Sequence, residues 1–273
     1  MTVTPLRNRH VVVTGATRGI GRGLADELAA RGARLTLVAR NPVLLGEAAA
    51  ELGAAPVEAD LSNPAQLATV IPAAEQANGP VDVLINNAGL QAACTLADVE
   101  PGHLRSVVTT NLLAPLELCR QALATMLPRR CGALVNVSSL AGEFALRNII
   151  PYCSTKAALT TATLALRREL TGTGIRAQLA MLGYVATDMM DESQADPIAG
   201  AQATRLGRLP PLTVAGVAGD IADGIERGRA LMVLPPLAAP VHHFRQLPTR
   251  LVDLIMLGIP RSHPVVETDG PQR

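Results

Sequence analysis

The chain has 273 residues and a formal net charge of +1, and 48% of its residues are hydrophobic while only 1% are aromatic. This length is enough for one large α/β domain, and the apolar residues provide a sizeable core built from Ala, Val, Leu and Ile. The near-neutral charge excludes the basic surface on which nucleic-acid-binding proteins depend, so no nucleic-acid partner is expected.

Apolar segments and helix-like segments alternate along the chain with short connections. Strands are predicted at residues 10–14, 34–39, 55–59, 81–86, 133–137, 175–181 and 230–234. Helices are predicted at residues 19–31, 43–52, 102–127 and 151–171, with a further helix that opens at Asn63 and Pro64. This alternation predicts a doubly wound, parallel, Rossmann-like α/β sheet of about seven strands with helices on both faces.

Three regions make up the predicted domain organisation. Residues 1–237 are expected to form a single Rossmann-like domain, in which residues 188–211, polar and interrupted by Gly and Pro, form a mobile lid. Residues 238–261 predict a short C-terminal helical appendix, and residues 262–273 a disordered tail. An apolar stripe in the appendix suits two uses: covering a partner subunit or the cleft, or lying on a membrane surface.

Residues 14–21, with the sequence TGATRGIG, form a glycine-rich turn between the first strand and the first helix. Glycine lets the backbone turn tightly and approach a phosphate, whose charge is favoured by the N–H groups at a helix N-terminus. Such a turn also occurs as a plain strand-to-helix connection, but its place in this chain predicts dinucleotide binding. The expected contacts are Gly15, Thr17, Arg18, Gly19, Ile20 and Gly21.

The residues after the second strand indicate which dinucleotide is bound. NAD-binding proteins usually carry Asp or Glu there, because a carboxylate accepts from the ribose 2′-hydroxyl. This chain has Ala39 followed by Arg40, and Arg18 provides a second positive charge in the glycine-rich turn. A guanidinium group offers a planar set of donors to a 2′-phosphate. NADP(H) is therefore predicted in preference to NAD(H).

Further motifs stand in a fixed order along the chain. They are Asp60-Leu61 after the third strand, Asn86-Asn87-Ala88-Gly89 after the fourth, Asn111 in the long helix, Ser139 after the fifth strand, and Tyr152-Cys153-Ser154-Thr155-Lys156 in the next helix. With the glycine-rich turn they match the TGxxxGxG, NNAG and YxxxK patterns of one family. Over about residues 8–190 the chain therefore resembles the short-chain dehydrogenase/reductase family.

The resemblance implies an oxidoreductase that transfers a hydride to or from a nicotinamide cofactor. It implies cofactor contacts at Asp60, Leu61, Asn87, Ala88, Gly89, Tyr152, Lys156, Gly183, Val185 and Thr187. It implies a catalytic set of Asn111, Ser139, Tyr152 and Lys156, in which Lys156 also holds the nicotinamide ribose and Asn111 links Lys156 to a water-based proton relay. A homodimer or homotetramer is implied as well.

The chemistry also follows from the residues themselves. Tyr152 and Lys156 are four residues apart and so share one helix face, where the ammonium is expected to lower the pKa of the phenol. Ser139 is expected to hydrogen-bond the substrate oxygen, with Ser138 as the rival serine. The leading prediction is a carbonyl reductase or alcohol dehydrogenase acting on a fairly apolar ketone or secondary alcohol. The alternative is an NADP-binding regulator or scaffold without turnover.

The segment around these residues suggests a substrate pocket and contains one departure from the family. The expected apolar lining is Leu140, Phe144, Leu146, Ile149 and Ile150, although most of these side chains suit a place in the core equally well. Leu182 stands before Gly183 where the family usually has Pro, which removes a restraint on φ. We expect cofactor binding to persist with a somewhat altered entrance to the cleft. Cys153, beside Tyr152, is expected to be a small buried filler rather than a nucleophile.

Cysteine usage and hydropathy indicate the compartment. The chain has four cysteines in a scattered arrangement without a CxxC pair, which argues against a disulfide scaffold or structural zinc and fits a reducing cytoplasm. The histidines have no metal-ligand spacing, so no metal is expected. There is no uninterrupted apolar run of about 18 residues, so a membrane-spanning helix is not expected.

Overall fold

The computed structural model of the protein describes residues 5–187, 196–206 and 212–240. The predicted tail at 262–273, most of the predicted appendix at 238–261 and the larger part of the predicted lid at 188–211 lie outside the described residues. The mobility of the lid and the role of the appendix therefore stay predictions.

Seven parallel strands form one sheet with the order β3-β2-β1-β4-β5-β6-β7. The strands are His10–Thr14 (β1), Arg34–Ala39 (β2), Ala55–Glu58 (β3), Val83–Asn86 (β4), Gly132–Ser139 (β5), Ile175–Leu182 (β6) and Leu231–Leu234 (β7). The strand order reverses between β1 and β4, and the carboxyl ends of strands at such a switch point leave a crevice for ligands. The predicted doubly wound fold is confirmed.

Ten α-helices lie within the described residues, with one π-helical segment between two of them. They are Gly19–Ala30 (α1), Pro42–Leu52 (α2), Pro64–Leu67 (α3), Val70–Asn78 (α4), Pro101–Val108 (α5), Ala114–Arg129 (α6), Ala141–Phe144 (α7), Ile150–Glu169 (α8), Pro197–Leu206 (α9) and Val214–Glu226 (α10). The π-helical segment Thr109–Leu113 joins α5 to α6, so the helix predicted at 102–127 is one continuous rod with a local change of winding.

Three of these helices were missing from the sequence-based prediction: the four-residue α7, α9 and α10. Helix α9 lies within the Gly- and Pro-interrupted stretch that was interpreted as a lid without packed elements. Helix α10 contains three glycines, which weaken intrinsic helix propensity. Its N-terminus is nevertheless capped by Thr213, whose hydroxyl accepts from the N–H of Gly216. Its buried apolar residues, spaced three and four apart, pack on the sheet and compensate for the glycines.

Side chains along each strand alternate between two helical layers. On β1, Val11 and Val13 pack in the cluster that includes α1, α2 and α10, whereas Val12 packs in the cluster that includes α4 and α6. This period of two is the expected consequence of the pleat in a sheet covered on both faces. The result is a rigid platform whose strand ends hold the residues of the site in place.

His10 is the buried titratable group at the start of β1. Its Nδ1–H donates to the carbonyl oxygen of Gly79 at 2.7 Å, and its Nε2 lies 2.9 Å from the hydroxyl of Thr36. Burial lowers the pKa of His10 below its ordinary value of 6.5. The neutral imidazole is therefore the form that the fold accommodates.

This burial makes stability depend on pH. Below pH 6.5 the unfolded chain binds a proton at His10 that the folded chain does not, so the free energy of unfolding falls as the pH decreases. We expect His10→Gln to be less stable than wild type at neutral pH but to lose less stability between about pH 7 and pH 5. Chemical denaturation at several pH values measures this, with the exposed His103→Gln as control. Equal slopes in His10→Gln and wild type would contradict the expectation.

Candidate active site

A cleft of about 490 Å³ opens at the carboxyl ends of the central strands. Its lining contains every predicted cofactor and catalytic residue except Asn111: Gly15, Thr17, Arg18, Gly19, Ile20, Gly21, Arg40, Asp60, Leu61, Asn87, Ala88, Gly89, Ser139, Tyr152, Lys156, Gly183, Val185 and Thr187. It also contains Ala39, Ser138 and Leu182, which the sequence analysis discussed without assigning them to the site, and residues that the prediction missed: Val38, Asn41, Leu44, Ala59, Leu90, Thr110 and Val137. Its size lies within the usual range for a small-molecule site.

The glycine-rich turn is folded too tightly for side chains at two positions. Gly15 has a φ of +67°, and a Cβ built on it would lie 2.9 Å from the Cα of Ala88. A Cβ on Gly21 would lie 2.0 Å from the carbonyl oxygen of Gly15 and 2.5 Å from Nδ2 of Asn87. Arg18 occupies the N-cap of α1 without a side-chain cap hydrogen bond. The first residues of α1 line the cleft, and this helix N-terminus without a side-chain cap fits the pyrophosphate of a dinucleotide.

Thr14 and Asn87 join the ends of β1 and β4 beneath this turn. The hydroxyl of Thr14 accepts from the backbone N–H groups of Asn87 at 3.0 Å and Ala88 at 3.1 Å. Nδ2 of Asn87 donates to the carbonyl oxygen of Thr14 at 3.0 Å. These bonds hold the floor of the cleft in one geometry. Thr14 was not predicted as a site residue, because its role depends on a contact between distant segments.

Two exposed arginines from different segments lie at the cleft. Arg40 follows β2 and Arg18 lies in the glycine-rich turn, and both side chains line the cleft. Asn41 caps α2, because its Oδ1 accepts from the backbone N–H groups of Val43 at 3.0 Å and Leu44 at 3.2 Å. The N–H groups of Val43 and Leu44 already donate to Asn41, so the guanidinium groups of Arg18 and Arg40 are the donors suited to the 2′-phosphate of a dinucleotide.

The two serines at the end of β5 have different partners. Oγ of Ser138 lies 2.9 Å from the carbonyl oxygen of Lys156, to which it donates, and 2.8 Å from Oγ1 of Thr160. Oγ of Ser139 accepts from the N–H of Ala141 at 3.1 Å and donates to the carbonyl oxygen of Leu182 at 3.3 Å. The hydroxyl of Ser138 is thus hydrogen-bonded to two residues of α8, whereas the hydroxyl of Ser139 also contacts the phenol of Tyr152. The arrangement favours Ser139 as the serine that faces a substrate.

Tyr152 and Lys156 line the cleft together, but their electrostatics differ from the prediction. Burial raises the pKa of Tyr152 to about 12, against which the hydrogen bond with Ser139 acts only in part. Burial lowers the pKa of Lys156 to about 8. Nζ of Lys156 donates to the carbonyl oxygen of Val137 at 2.9 Å and lies 5.7 Å from the centre of the Tyr152 ring. The expected lowering of the Tyr152 pKa was wrong, because desolvation of the phenol raises its pKa more than the hydrogen bond with Ser139 lowers it.

Asn111 lies in the π-helical segment and is completely buried. Its Oδ1 accepts from the N–H of Leu90 at 2.8 Å, and its Nδ2 donates to the carbonyl oxygen of Leu90 at 2.8 Å and to Oγ1 of Thr155 at 3.2 Å. Asn111 therefore fastens the segment after β4 to α8 from behind the cleft. Its implied part in a proton relay with Lys156 stays a prediction.

The five apolar residues expected to line a substrate pocket do not line this cleft. Leu146 and Ile149 are buried with Cys153 in a cluster against which Phe144 and Tyr152 pack. Leu140 is buried in a different cluster, and the side chain of Ile150 is 41% exposed. A direct lining of this cleft is therefore wrong for these residues, and the alternative, a place in the core, is confirmed for Leu140, Leu146 and Ile149.

Two further predictions concern Cys153 and Leu182. Burial raises the pKa of Cys153 to about 11, and its Sγ lies 3.9 Å from the carbonyl oxygen of Leu146, so the thiol is a protonated, buried filler. Leu182 is the last residue of β6, paired with both Ser139 and Leu234. The carbonyl oxygen of Leu182 accepts from the hydroxyl of Ser139, and Leu182 also lines the cleft. Leu182 thus connects the sheet to the predicted catalytic serine.

Among the residues that the structure describes, no three His, Cys, Asp or Glu side chains lie close enough together to hold a metal ion. Within the same residues, every helix is too short or too polar to cross a membrane.

Comparisons with known proteins agree with this geometry. A family model described as short chain dehydrogenase matches residues 9–198. The ketoacyl reductase HetN of Nostoc sp. is 37% identical over 189 residues, which cover 67% of this chain and 66% of that protein, just under two-thirds of its length. A short-chain dehydrogenase/reductase from Burkholderia phymatum, solved in complex with NAD, is 26% identical with a TM-score of 0.79 over 89% of this chain and 96% of that chain. A short-chain dehydrogenase from Sphingobium yanoikuyae, solved in complex with NADPH, is 26% identical with a TM-score of 0.75 over 94% of this chain and 98% of that chain.

Proposed function

The chain belongs to the short-chain dehydrogenase/reductase family, and from that premise we propose that it is an NADP(H)-dependent oxidoreductase. It transfers a hydride between the nicotinamide and a fairly apolar ketone or secondary alcohol, with Tyr152 as the general acid/base. The observation that carries this proposal is that Ser139, Tyr152 and Lys156 line the same cleft as Arg18 and Arg40.

Proton transfer at the substrate oxygen is the task of the protein in this proposal. The bound nicotinamide supplies or accepts the hydride. With its pKa raised to about 12, the Tyr152 phenol is protonated at neutral pH and holds a proton to donate to a carbonyl oxygen. The Ser139 hydroxyl stabilises the negative charge that develops on that oxygen. The Lys156 ammonium favours the tyrosinate that remains. These protonation states suit the reducing direction.

The substrate class is proposed from the surroundings of Tyr152. Tyr152 packs against a buried apolar cluster, against which Ala93 and Ile198 also pack, so an apolar carbonyl compound is favoured. Because the Nostoc relative is named a ketoacyl reductase, we propose β-ketoacyl thioesters as the first compounds to test. Absorbance of NADPH is followed with an acetoacetyl thioester, an aromatic ketone and a small keto acid. Consumption is expected with the first two, and the proposal is wrong if none of the three oxidises NADPH.

The preference for NADP(H) over NAD(H) rests on the two arginines. A charge-assisted hydrogen bond contributes about 1.5–3 kcal/mol, so we expect Arg40→Ala to raise the Kd of NADPH about ten-fold or more. The Kd of NADH is expected to stay near its wild-type value, because NADH has no 2′-phosphate. Fluorescence titration with both cofactors measures this ratio.

The matched control for this titration is Arg105→Ala. Arg105 is an exposed arginine on α5 that does not line the cleft, so its removal changes the net charge equally. This variant is expected to bind both cofactors like wild type. If Arg40→Ala weakens NADPH and NADH by the same factor, the assignment of the 2′-phosphate to Arg40 is incorrect.

Other properties stay predictions at this point. The family implies a homodimer or homotetramer, and the scattered cysteines favour a cytoplasmic location. A scaffold that binds NADPH without turnover, the alternative function, is expected to bind the cofactor without consuming it in the assay above.

A further inference from the structure

The segment at 145–149, between α7 and α8, has an unusual backbone. Ala145 has a φ of +50° and Asn148 a φ of +61°, although neither is glycine. A left-handed conformation costs more energy for alanine than for asparagine, so at Ala145 it persists only where the surroundings hold it. Helix α8 begins directly after this segment, and Tyr152 is in its first turn. Whatever holds this segment therefore also sets the start of the helix that carries Tyr152.

One holder is Gln202 of α9, whose side chain is 2% exposed. Its Oε1 accepts from the N–H of Arg147 at 3.0 Å, and its Nε2 donates to the carbonyl oxygen of the same residue at 2.8 Å. Both backbone groups of Arg147 are thus paired by one side-chain amide. A two-point contact of this kind fixes orientation as well as distance.

A second holder joins Asn148 to the start of α9. Nδ2 of Asn148 lies 3.2 Å from both carboxylate oxygens of Asp196. Oδ1 of Asp196 in turn accepts from the N–H groups of Ile198 at 3.0 Å and Ala199 at 2.7 Å, which caps α9. The carbonyl oxygen of Asn148 accepts from the N–H of Cys94 at 2.8 Å. Asn148 therefore connects α9 with the segment that follows β4.

Apolar contacts continue this connection to Tyr152. Ala199 of α9 is buried in the same cluster as Leu146 and Ile149, and both Tyr152 and Ile198 pack against that cluster. A shift of α9 relative to segment 145–149 would therefore change the position of the Tyr152 phenol.

We propose that Gln202 and Asn148 are positioning residues: they fasten α9 to segment 145–149 and so hold Tyr152 and the substrate end of the cleft in register. The inference rests on the proposed hydride transfer, in which Tyr152 donates the proton. Neither residue lines the cleft, so each acts through the elements that it joins.

The test compares carbonyl reduction with cofactor binding in Gln202→Ala. Small misplacements of a catalytic group reduce rates strongly, so kcat/KM for the ketone is expected to fall about ten- to a hundred-fold. The Kd of NADPH is expected to be unchanged, because the contacts of α9 described above involve neither the glycine-rich turn nor Arg40. Unchanged kcat/KM in Gln202→Ala, or a loss of NADPH affinity in parallel, would overturn the inference.

Two further variants separate positioning from general stability. Gln178→Ala removes another fully buried glutamine, whose Nε2 donates to the carbonyl oxygens of Gly224 at 3.0 Å and Arg229 at 2.7 Å. It is expected to lower Tm while keeping kcat/KM. In Gln202→Glu a protonated carboxyl both donates and accepts, whereas the carboxylate only accepts. Its kcat/KM relative to wild type is therefore expected to recover as the pH is lowered, and a ratio that does not change with pH would contradict the role of Gln202.

The outcomes distinguish this inference from the proposed function. If wild type consumes no NADPH with any ketone, the proposed function is wrong and the inference with it. If wild type turns over but Gln202→Ala does so equally well, the inference alone is wrong.

Discussion

Tyr152→Phe is expected to lower kcat for carbonyl reduction about 10²- to 10⁴-fold, because it removes the proton donor and leaves the ring in place. The NADPH Kd is expected to change little, since the phenol is one of many groups that line the cleft. Stopped-flow or steady-state reduction of a ketone, combined with fluorescence titration of NADPH, measures both quantities. The pattern expected is a loss of turnover in a variant that still binds its cofactor.

The control is the neighbouring substitution Cys153→Ala. The Cys153 thiol is buried with its pKa raised to about 11, so it is protonated at neutral pH and does not act as a nucleophile. Cys153→Ala is expected to keep most of the wild-type kcat. A Tyr152→Phe variant that reduces ketones at the wild-type rate, or a Cys153→Ala variant that loses activity while still folded, would refute the assignment of roles.

Gly21→Ala is expected to weaken cofactor binding, and this effect is the second largest after that of Tyr152→Phe. The added Cβ would lie 2.0 Å from the carbonyl oxygen of Gly15 and 2.5 Å from Nδ2 of Asn87, so the glycine-rich turn must shift. Overpacking of this kind costs about 1–3 kcal/mol, which, expressed in cofactor binding, corresponds to about a five- to 150-fold rise in the NADPH Kd. Fluorescence titration measures the Kd, and circular dichroism establishes that the variant is folded.

Gly219→Ala provides the same change in another helix. Gly219 lies inside α10, and a Cβ built on it has no neighbour within 4 Å. Alanine is favoured over glycine in a helix by about 0.5–1 kcal/mol, so this variant is expected to be at least as stable as wild type and to bind NADPH normally. NADPH binding by Gly21→Ala at wild-type affinity would show that the turn is not the cofactor site.

The parts of the fold that were predictable are those set by local pattern. The apolar run at 34–39 is β2 with the same bounds, and Asn63 caps the helix opened by Pro64 as its sequence indicates. Helix α10 was missed because its three glycines weaken the local signal, while the packing that stabilises it comes from distant residues. The π-helical segment was missed because its winding follows from tertiary contacts, such as the bonds between Asn111 and Leu90.

The candidate site also has residues that the local sequence predicts and properties that depend on contacts between distant segments. Ordered motifs were sufficient to choose Ser139, Tyr152 and Lys156, because their spacing along β5 and α8 is local. The raised pKa of Tyr152 was not predictable, since it depends on burial by segments that are distant in sequence. The same holds for Gln202, which stands in a stretch without a motif and whose partner Arg147 lies 55 positions away.

The central claim is that this cleft transfers a hydride from NADPH to a carbonyl carbon. The most direct measurement is a single turnover with NADPH that carries deuterium at the transferable position of the nicotinamide, followed by mass spectrometry of the alcohol. We expect wild type to place one deuterium on the carbinol carbon and Tyr152→Phe to form almost no product in the same time. Wild-type protein that binds labelled NADPH but returns it unoxidised, with no deuterium in any alcohol, would contradict the account.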